Sequence, residues 1–440
     1  MNSSTFVIIG MFAITGAIVI STSFPITHKL AFFVMPVVII FFASAPFYAL
    51  MFLLIIRPEL ELFSESGILK FFSAVPVIFL FYIFFTRKYF SFCWSRLKYL
   101  YIFILLALST LVLSININES LIYILRLLSI ISVYLITYNL IKTRDEGMKI
   151  LYCFPIALVI PLIIGGKQFL LGEVHITAAT QFERVYSFFV LANSFSRFLF
   201  VTLFASIPLF YYLKKRSTPL YLLAFATIAT MILLKVRGVF FTMVVAFLIL
   251  FYFTPKIRKY FWLVIPAVIL SSIPIALKLL EHMIHPLQQR IYGGETFFWR
   301  LDMWEQLFHN AFKRSPLIGF GTGTSINISS AYTMFTNYPH NDYLRILIEN
   351  GILGLIFYLA FFVSNLRSSY KEIKNDENKY FNVCAFILIF SFIFMSSAAN
   401  VFYSTDYFWY FFSFLAVTHK MNSLRYEGIS GNVSNEVDRC

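Results

Sequence analysis

Long apolar runs follow one another along almost the whole chain, and they restrict its fold more than any other feature. Each is long enough to cross the ~30 Å hydrocarbon layer of a bilayer as a helix. Only 13% of the 440 residues are charged and 60% are hydrophobic, more apolar surface than a soluble core can bury. The sequence therefore predicts an all-α, polytopic membrane helix bundle of about 12–14 transmembrane helices. The predicted spans are residues 6–22, 30–56, 68–86, 98–115, 119–141, 149–166, 187–213, 218–235, 238–254, 260–280, 342–365, 381–398 and 404–418.

Composition divides the chain into four segments. Residues 1–280 form an N-terminal transmembrane bundle of about ten spans, in which the second run gives one helix or, if it breaks at Pro46, two. Residues 281–341 are a charged loop with room for a small cap of short helices. Transmembrane helices over 342–418 and a tail over 419–440 follow. The first run has no preceding basic region, so we expect a membrane helix there and not a cleaved signal.

Short basic clusters between the runs predict the orientation of the bundle. The clusters around Arg87, Arg144, Lys214, Lys256 and Arg367 are each separated from the next by an even number of spans. Because basic loops stay in the cytoplasm, we expect all of them on that side, together with the tail. They also account for the formal net charge of +14, so this charge does not indicate a nucleic-acid partner. The connections expected outside are 57–67, 116–118, 167–186, 235–238, 281–341 and 399–403.

Four basic residues fall on this predicted outer face. Arg184 opens the seventh span, Arg237 lies in a tight turn, Arg300 lies in the charged loop and His340 ends that loop. The planar guanidinium of arginine donates two parallel hydrogen bonds and keeps its charge, which suits a phosphate ligand such as a lipid-linked pyrophosphate. A histidine beside such a ligand could act as a general base on a hydroxyl. The set is therefore typical of a glycosyl transfer without metal.

These residues also have purely structural interpretations. An arginine at a helix end commonly extends to lipid headgroups or caps carbonyls. His340 could serve the start of a helix whose N-cap is Asn341. Arg126 and Glu349 lie inside predicted spans, where they could form an Arg–carboxylate pair or face a polar cleft. Only the coincidence of the four residues on one face favours a site.

The sequence predicts no metal and no cofactor. His282 and His285 are one helical turn apart, but no cysteine or carboxylate completes a ligand set. The segment Gly319–Gly323 is too short for a phosphate-binding loop, and we expect it to turn tightly against the membrane. The scattered cysteines indicate packing residues or an incidental tail thiol: Cys93, Cys153, Cys384 and Cys440.

The stretch from about Arg300 to Leu359 resembles the bacterial O-antigen polymerase and ligase family (Wzy and WaaL). Its most specific signature is the spacing between a His-Asn pair and two glycines. Upstream, Arg237 matches an arginine at a turn between spans, although Val236 replaces the usual small or polar residue. Arg184 with Asn193 is similar to an Arg-then-Asn pattern, but the customary Gly and Pro are missing. The matching residues are Arg300, Trp304, the segment Ser315-Pro-Leu-Ile-Gly-Phe-Gly321, His340-Asn341 and, after nine intervening residues, Gly351 and Gly354.

The resemblance implies transfer of a glycan from undecaprenyl pyrophosphate to an acceptor sugar hydroxyl, at the periplasmic side of the inner membrane. In that case His340 activates the acceptor, Arg237 and Arg300 hold the pyrophosphate, and Arg184 assists. Asn341, Asp302 and Arg126 are expected to support the site. The implied partners are the lipid-linked donor, an acceptor glycan or lipid A–core, the bilayer and a chain-length regulator protein.

Three functions fit the sequence. A polymerase that joins O-antigen or similar surface polysaccharide repeat units is the leading hypothesis, and a ligase that passes the finished glycan to lipid A–core shares the same residues. A transporter of lipid-linked sugars would also need a basic cleft and many spans. Transporters commonly place charged residues and broken helices near the midplane in repeated halves, and the sequence shows no such repeat.

Overall fold

A computed structural model describes the chain over residues 41–63, 73–87, 89–173, 175–176, 183–189, 191–213, 218–234, 236–254, 298–374, 377–402 and 404–430. Over these ranges the regular structure is helical, apart from one antiparallel pair of two-residue strands, β1 (His175–Ile176) and β2 (Glu183–Arg184). Six of the described helices are long and apolar enough to cross a membrane. The predicted all-α, polytopic membrane bundle is therefore confirmed.

The bundle helices agree with the predicted spans to within a few residues at most ends. The backbone breaks at Ala45, so the helix after Pro46 is a separate element of 11 residues. The predicted spans 6–22 and 260–280 lie outside the described residues, and the total of 13 or 14 spans stays a prediction. The bundle helices are α1 (Pro46–Ile56), α2 (Val75–Thr86), α3 (Trp94–Ser109), α4 (Ile117–Leu140), α5 (Arg144–Leu171), α6 (Ala192–Leu213), α7 (Thr218–Leu233), α8 (Arg237–Phe253), α11 (Asp342–Glu372), α12 (Lys379–Ser396) and α13 (Thr405–Ser430).

Short helices fill the described part of the charged loop, as predicted. These are α9 (Phe298–Gln306), a π-helical turn over Leu307–Ala311 and α10 (Ser325–Tyr332). Together with α11 they enclose a small apolar core, formed by Met303, Leu307, Ala311, Ile328 and Ile348. We call residues 298–341 the cap.

The helix connections lie at two opposite ends of the bundle. At one end, Arg96 in α3 donates a hydrogen bond to Ser368 in α11, and Arg144 at the start of α5 pairs with Glu377. We call this the basic end, because the described members of the predicted basic clusters lie there. At the cap end, Asn350 of α11 donates to Thr110, which follows α3, at 3.4 Å. The clusters around Lys214 and Lys256 lie outside the described residues.

Helix α13 runs through the centre of the bundle. Residues 405–419 are all buried, against α4, α5, α6 and α12. Two of its polar side chains have partners there: His419 Nδ1 lies 2.7 Å from the Tyr134 hydroxyl, and Asn422 donates to Asn382 at 2.9 Å. The helix extends past residue 418, the predicted end of the span, and continues to Ser430. Residues 419–430 are therefore helical, and the predicted boundary between span and tail stays a prediction.

Helix α11 is interrupted at Gly351, whose φ of 65° and ψ of −168° are not helical. The segment Pro316–Gly321 crosses the break and replaces the missing helix hydrogen bonds. The amides of Phe320 and Gly321 donate to the carbonyls of Ile348 and Glu349 at 2.9 and 2.8 Å, and the Ile352 amide donates to the Pro316 carbonyl at 2.8 Å. The cap is thus joined to a membrane helix by backbone bonds, which leaves few unpaired polar groups at the break.

The glycines of Gly319–Gly323 turn tightly, as expected, and lie against α11, α4 and the connection before α4. All three have positive φ values, between 71° and 102°. A Cβ on Gly319 would lie 2.4 Å from the Glu349 carbonyl carbon, and one on Gly321 would lie 2.9 Å from Ser114 Cα. Glycine is needed here because no side chain fits between the segment and the helices.

Candidate functional site at the cap end

His340 lies where the cap joins α11. Its φ of 52° is in the left-handed region, which histidine adopts more readily than most residues. The carbonyl of the preceding Pro339 accepts a hydrogen bond from Trp304 Nε1 at 2.6 Å. On the other side, the Asn341 side chain accepts from the Leu344 amide at 3.1 Å, so the predicted N-cap is confirmed. The backbone of His340 is therefore held on both sides, and its imidazole packs edge-on against Trp299, with 5.8 Å between the ring centroids.

Arg300 lies close to His340, in the third position of α9. Its guanidinium Cζ is 5.6 Å from the Trp299 ring that also contacts the imidazole. Nη1 donates to the Ala398 carbonyl at 3.3 Å. The buried Nε has no hydrogen-bond partner among the described residues. Arg300 therefore retains donor capacity for a ligand at this position.

Arg197 of α6 is a second arginine at the site, and the sequence analysis missed it. Its Nη1 donates to the Asn400 carbonyl at 3.2 Å, and its Cζ lies 5.9 Å from the Tyr407 ring. Asn400 and Ala398 both belong to the connection between α12 and α13. The signal in the sequence was a single arginine inside the apolar run 187–213, where an unneutralised charge is costly.

The imidazole of His340 is neutral at physiological pH. Burial, and then the positive charges of Arg300 and Arg197, lower its pKa to about 4. Burial also lowers the pKa of Arg300, although a guanidinium keeps its proton in proteins. The ordinary pKa of histidine is near 6.5, and burial followed by the two arginine charges explains the difference. A neutral imidazole can accept a proton, as a general base must.

The other two predicted arginines share this end of the bundle. At the far end of α8, Phe253 contacts Tyr370 near the basic end, so the start of the 17-residue helix at Arg237 points towards the cap end. Arg184 lies in β2, between the end of α5 and the start of α6, which carries Arg197. The side chains of Arg184 and Arg237 are outside the described part of the structure. Their contact with a ligand stays a prediction.

The structure shows the surroundings of the buried and supporting residues predicted from the sequence. Asp302 is half-buried on α9, between Arg300 and Trp304 in sequence. Arg126 of α4 stacks on the Tyr123 ring at 5.1 Å. Glu349 forms its ion pair with Arg345, one turn earlier on α11, at 2.9 Å. The structural-pair interpretation therefore holds for Glu349, with Arg345 as its partner.

Another buried ion pair borders the site. Arg57, which is 2% exposed, pairs with Glu61 at 2.7 Å and donates to Thr405 at 3.0 Å. Thr405 lies two residues before the Tyr407 ring that Arg197 contacts. Because Arg57 is paired and hydrogen-bonded, it stabilises the start of α13 and offers less donor capacity than Arg300.

The described residues contain no group of three His, Cys, Asp or Glu side chains placed to hold a metal ion. His282 and His285 lie outside them. The described side chains at the cap end offer one neutral imidazole as a proton acceptor and two guanidinium groups as hydrogen-bond donors to an anion.

Comparison with known proteins supports the resemblance. Residues 222–359 match the family model described as O-antigen ligase. This range contains Arg237, Arg300, His340 and the two signature glycines, and it confirms the resemblance to the O-antigen polymerase and ligase family. The chain is also 27% identical over 216 residues to the ComP-specific O-oligosaccharyltransferase of Acinetobacter baylyi. That similarity covers 44% of this chain and only 38% of the relative.

Proposed function

We propose that this chain, whose residues 222–359 match the O-antigen ligase family, transfers a glycan from undecaprenyl pyrophosphate to a sugar hydroxyl. The observation that carries the proposal is the arrangement at the cap end. His340, Arg300 and Arg197 come from three separate elements and lie close enough for both arginines to lower the pKa of the histidine. If Arg300 and Arg197 were purely structural, their position beside the neutral imidazole of His340 would be unexplained.

In the proposed reaction, the guanidinium groups of Arg300 and Arg197 bind the diphosphate of the donor. His340 accepts the proton of the acceptor hydroxyl as its oxygen forms a bond to the anomeric carbon. The bond between that carbon and the diphosphate oxygen breaks, and undecaprenyl pyrophosphate leaves with the electron pair. Because fixed positive charges stabilise the charge that develops on this leaving group, no proton has to be supplied to it. Arg237 and Arg184 would extend the same anion site.

We propose further that the acceptor is a second lipid-linked repeat unit, which makes the protein a polymerase of O-antigen or a similar surface polysaccharide. The cap end would then face the periplasm and the basic end the cytoplasm, since basic loops stay inside. A chain-length regulator protein would be a partner of this activity, and the bilayer supplies the donor.

A ligase is the second candidate, because the matching family model is described as O-antigen ligase and a ligase would use the same site residues. The acceptor would then be lipid A–core. The relative in Acinetobacter baylyi is named for oligosaccharide transfer to another acceptor, ComP. A deletion strain separates the two candidates: core with a single repeat unit indicates the polymerase, whereas long lipid-linked chains without decorated lipopolysaccharide indicate the ligase.

The direct test uses the purified chain in nanodiscs with a defined undecaprenyl-pyrophosphate-linked repeat unit. A ladder of oligomers supports the polymerase, and a single transfer to added lipid A–core supports the ligase. We expect His340→Ala to lower the rate by about 10²–10⁴-fold, the usual contribution of a general base. His309→Ala is the matched control, since His309 is an exposed histidine of the cap. Unchanged polymer length in cells with His340→Ala at normal protein level would refute the catalytic role and favour a transporter.

A further inference from the structure

The two arginines of the site are held by one short loop. Residues 397–402, which we call the arginine loop, connect α12 to α13. Its Ala398 carbonyl accepts from Arg300 at 3.3 Å, and its Asn400 carbonyl accepts from Arg197 at 3.2 Å. Since the two carbonyls are two residues apart on one backbone, the position of this loop sets the spacing of the two guanidinium groups.

The carboxylate of Asp342 holds the arginine loop by hydrogen bonds to its backbone. Its Oδ2 accepts from the amides of Val401 and Phe402 at 2.8 and 3.0 Å. The side chain is completely buried, with 0% of its surface exposed. Bonds from amides to a buried carboxylate are stronger than neutral hydrogen bonds. Tyr407 adds a bond from the other side of the loop, since its hydroxyl donates to the Val401 carbonyl at 2.7 Å.

Asp342 is also tied to His340 by the chain itself. It is the first residue of α11, directly after the N-cap Asn341. The partial positive charge of a helix N-terminus offsets part of the cost of burying this carboxylate. The backbone of His340 and the arginine loop therefore share one rigid attachment point, which is the start of α11.

We propose that Asp342 is a positioning residue, which acts through the arginine loop to hold Arg197 and Arg300 at a fixed distance from His340. It contacts neither the substrate nor the reacting atoms. The expected effect on kinetics rests on the proposed function. The geometric part of the proposal, that Asp342 fixes residues 397–402, does not depend on any reaction.

Two substitutions separate the geometry of Asp342 from its charge. Asp342→Asn keeps a side-chain oxygen that can accept from both amides, whereas Asp342→Ala removes both bonds. The matched control is Asn378→Ala. Asn378 is equally buried and donates to the Met421 carbonyl at 2.9 Å, but at the basic end. It therefore reports the general effect of losing a buried hydrogen bond in this bundle.

Hydrogen exchange measured by mass spectrometry tests the geometric part on the full chain in nanodiscs. We expect the amides of Val401 and Phe402 to exchange at least ~10-fold faster in Asp342→Ala than in the wild type, and within ~3-fold of wild type in Asp342→Asn. Asn378→Ala should leave exchange in residues 397–402 unchanged. Unchanged exchange in Asp342→Ala would overturn the proposal.

Steady-state transfer from a defined undecaprenyl-pyrophosphate-linked repeat unit tests the kinetic part. We expect Asp342→Ala to lower kcat/KM by about 10²-fold, as small misplacements of binding groups do, with a higher donor KM that Asp342→Asn largely restores. A merely structural residue would behave like Asn378→Ala, with less folded protein but unchanged constants per folded molecule. Equal losses in the Asn and Ala variants would also refute the positioning role, because they would implicate charge alone.

If Asp342→Ala does not accumulate, Tyr407→Phe replaces it. This variant deletes the bond to the Val401 carbonyl, and we expect the same changes in exchange and donor KM at smaller size. Wild-type values in both measurements would overturn the proposal. The proposed function fails separately, if the wild-type chain transfers no glycan from the lipid-linked donor.

Discussion

Gly351→Ala should destabilise the protein more than any other single methyl addition in α11. The φ of 65° and ψ of −168° at Gly351 belong to a region that only glycine adopts readily, which costs other residues about 1–3 kcal/mol. A Cβ there would also lie 2.2 Å from the carbonyl carbon and oxygen of Leu317. The segment Pro316–Gly321 would have to move away from the helix break.

That movement breaks backbone hydrogen bonds. Four of them join the segment to α11, at 2.8 to 3.3 Å, and each contributes about 0.5–1.5 kcal/mol. Loss of the two bonds nearest to Gly351, together with the backbone strain, predicts a destabilisation of about 2–6 kcal/mol. Activity should fall as well, because the first part of α11 carries His340 at its start.

Thermal unfolding followed by tryptophan fluorescence in detergent measures this effect. Gly166→Ala is the control, since Gly166 is an exposed glycine of α5 and an added Cβ meets nothing within 4 Å. We expect no loss of stability there, because alanine favours a helix over glycine. An unfolding midpoint of Gly351→Ala equal to those of the wild type and Gly166→Ala would refute the explanation of the helix break.

Three further predictions concern the site. Arg197→Lys should raise the donor KM by about 10-fold, because lysine keeps the charge but not the two parallel donors, and a donor titration with Arg314→Lys as control checks this. The rate constant kcat/KM should not fall on the acid side until pH approaches 4, since His340 loses activity only when protonated. The fall of kcat at acid pH should occur at a higher pH than the fall of kcat/KM, because bound diphosphate offsets the arginine charges that lower the histidine pKa. If both profiles fell together near pH 6.5, the prediction would be wrong. Trp304→Phe removes the bond to the Pro339 carbonyl and should lower stability by about 0.5–1.5 kcal/mol, as measured by thermal unfolding.

The membrane helices could be predicted because hydrocarbon imposes a length and a composition on each of them. The span predicted at 119–141 is found as Ile117–Leu140. A helix is longer than its predicted span where its surroundings are protein and not lipid. Polar residues such as His419 and Asn422 end an apolar run in the sequence, but in α13 they have partners on neighbouring helices, so the helix continues.

The site was predictable only in part, because a sequence contains no distances between remote elements. His340 and Arg300 were found through local patterns in one stretch of chain. Arg197 is 203 residues from its partner Asn400, and nothing local connects the two. The spacing of the signature glycines was recognisable, but its cause, a helix break filled by another segment, required the structure.

The arginine loop has a consequence for biosynthesis. It lies about 200 residues after Arg197, so the ribosome synthesises Arg197 well before its carbonyl partner Asn400 exists. Until then Arg197 enters the membrane without this acceptor, which is costly for a charge in hydrocarbon. Nascent chains that stall before residue 397 therefore carry the charge of Arg197 without the hydrogen bond that it makes in the folded protein.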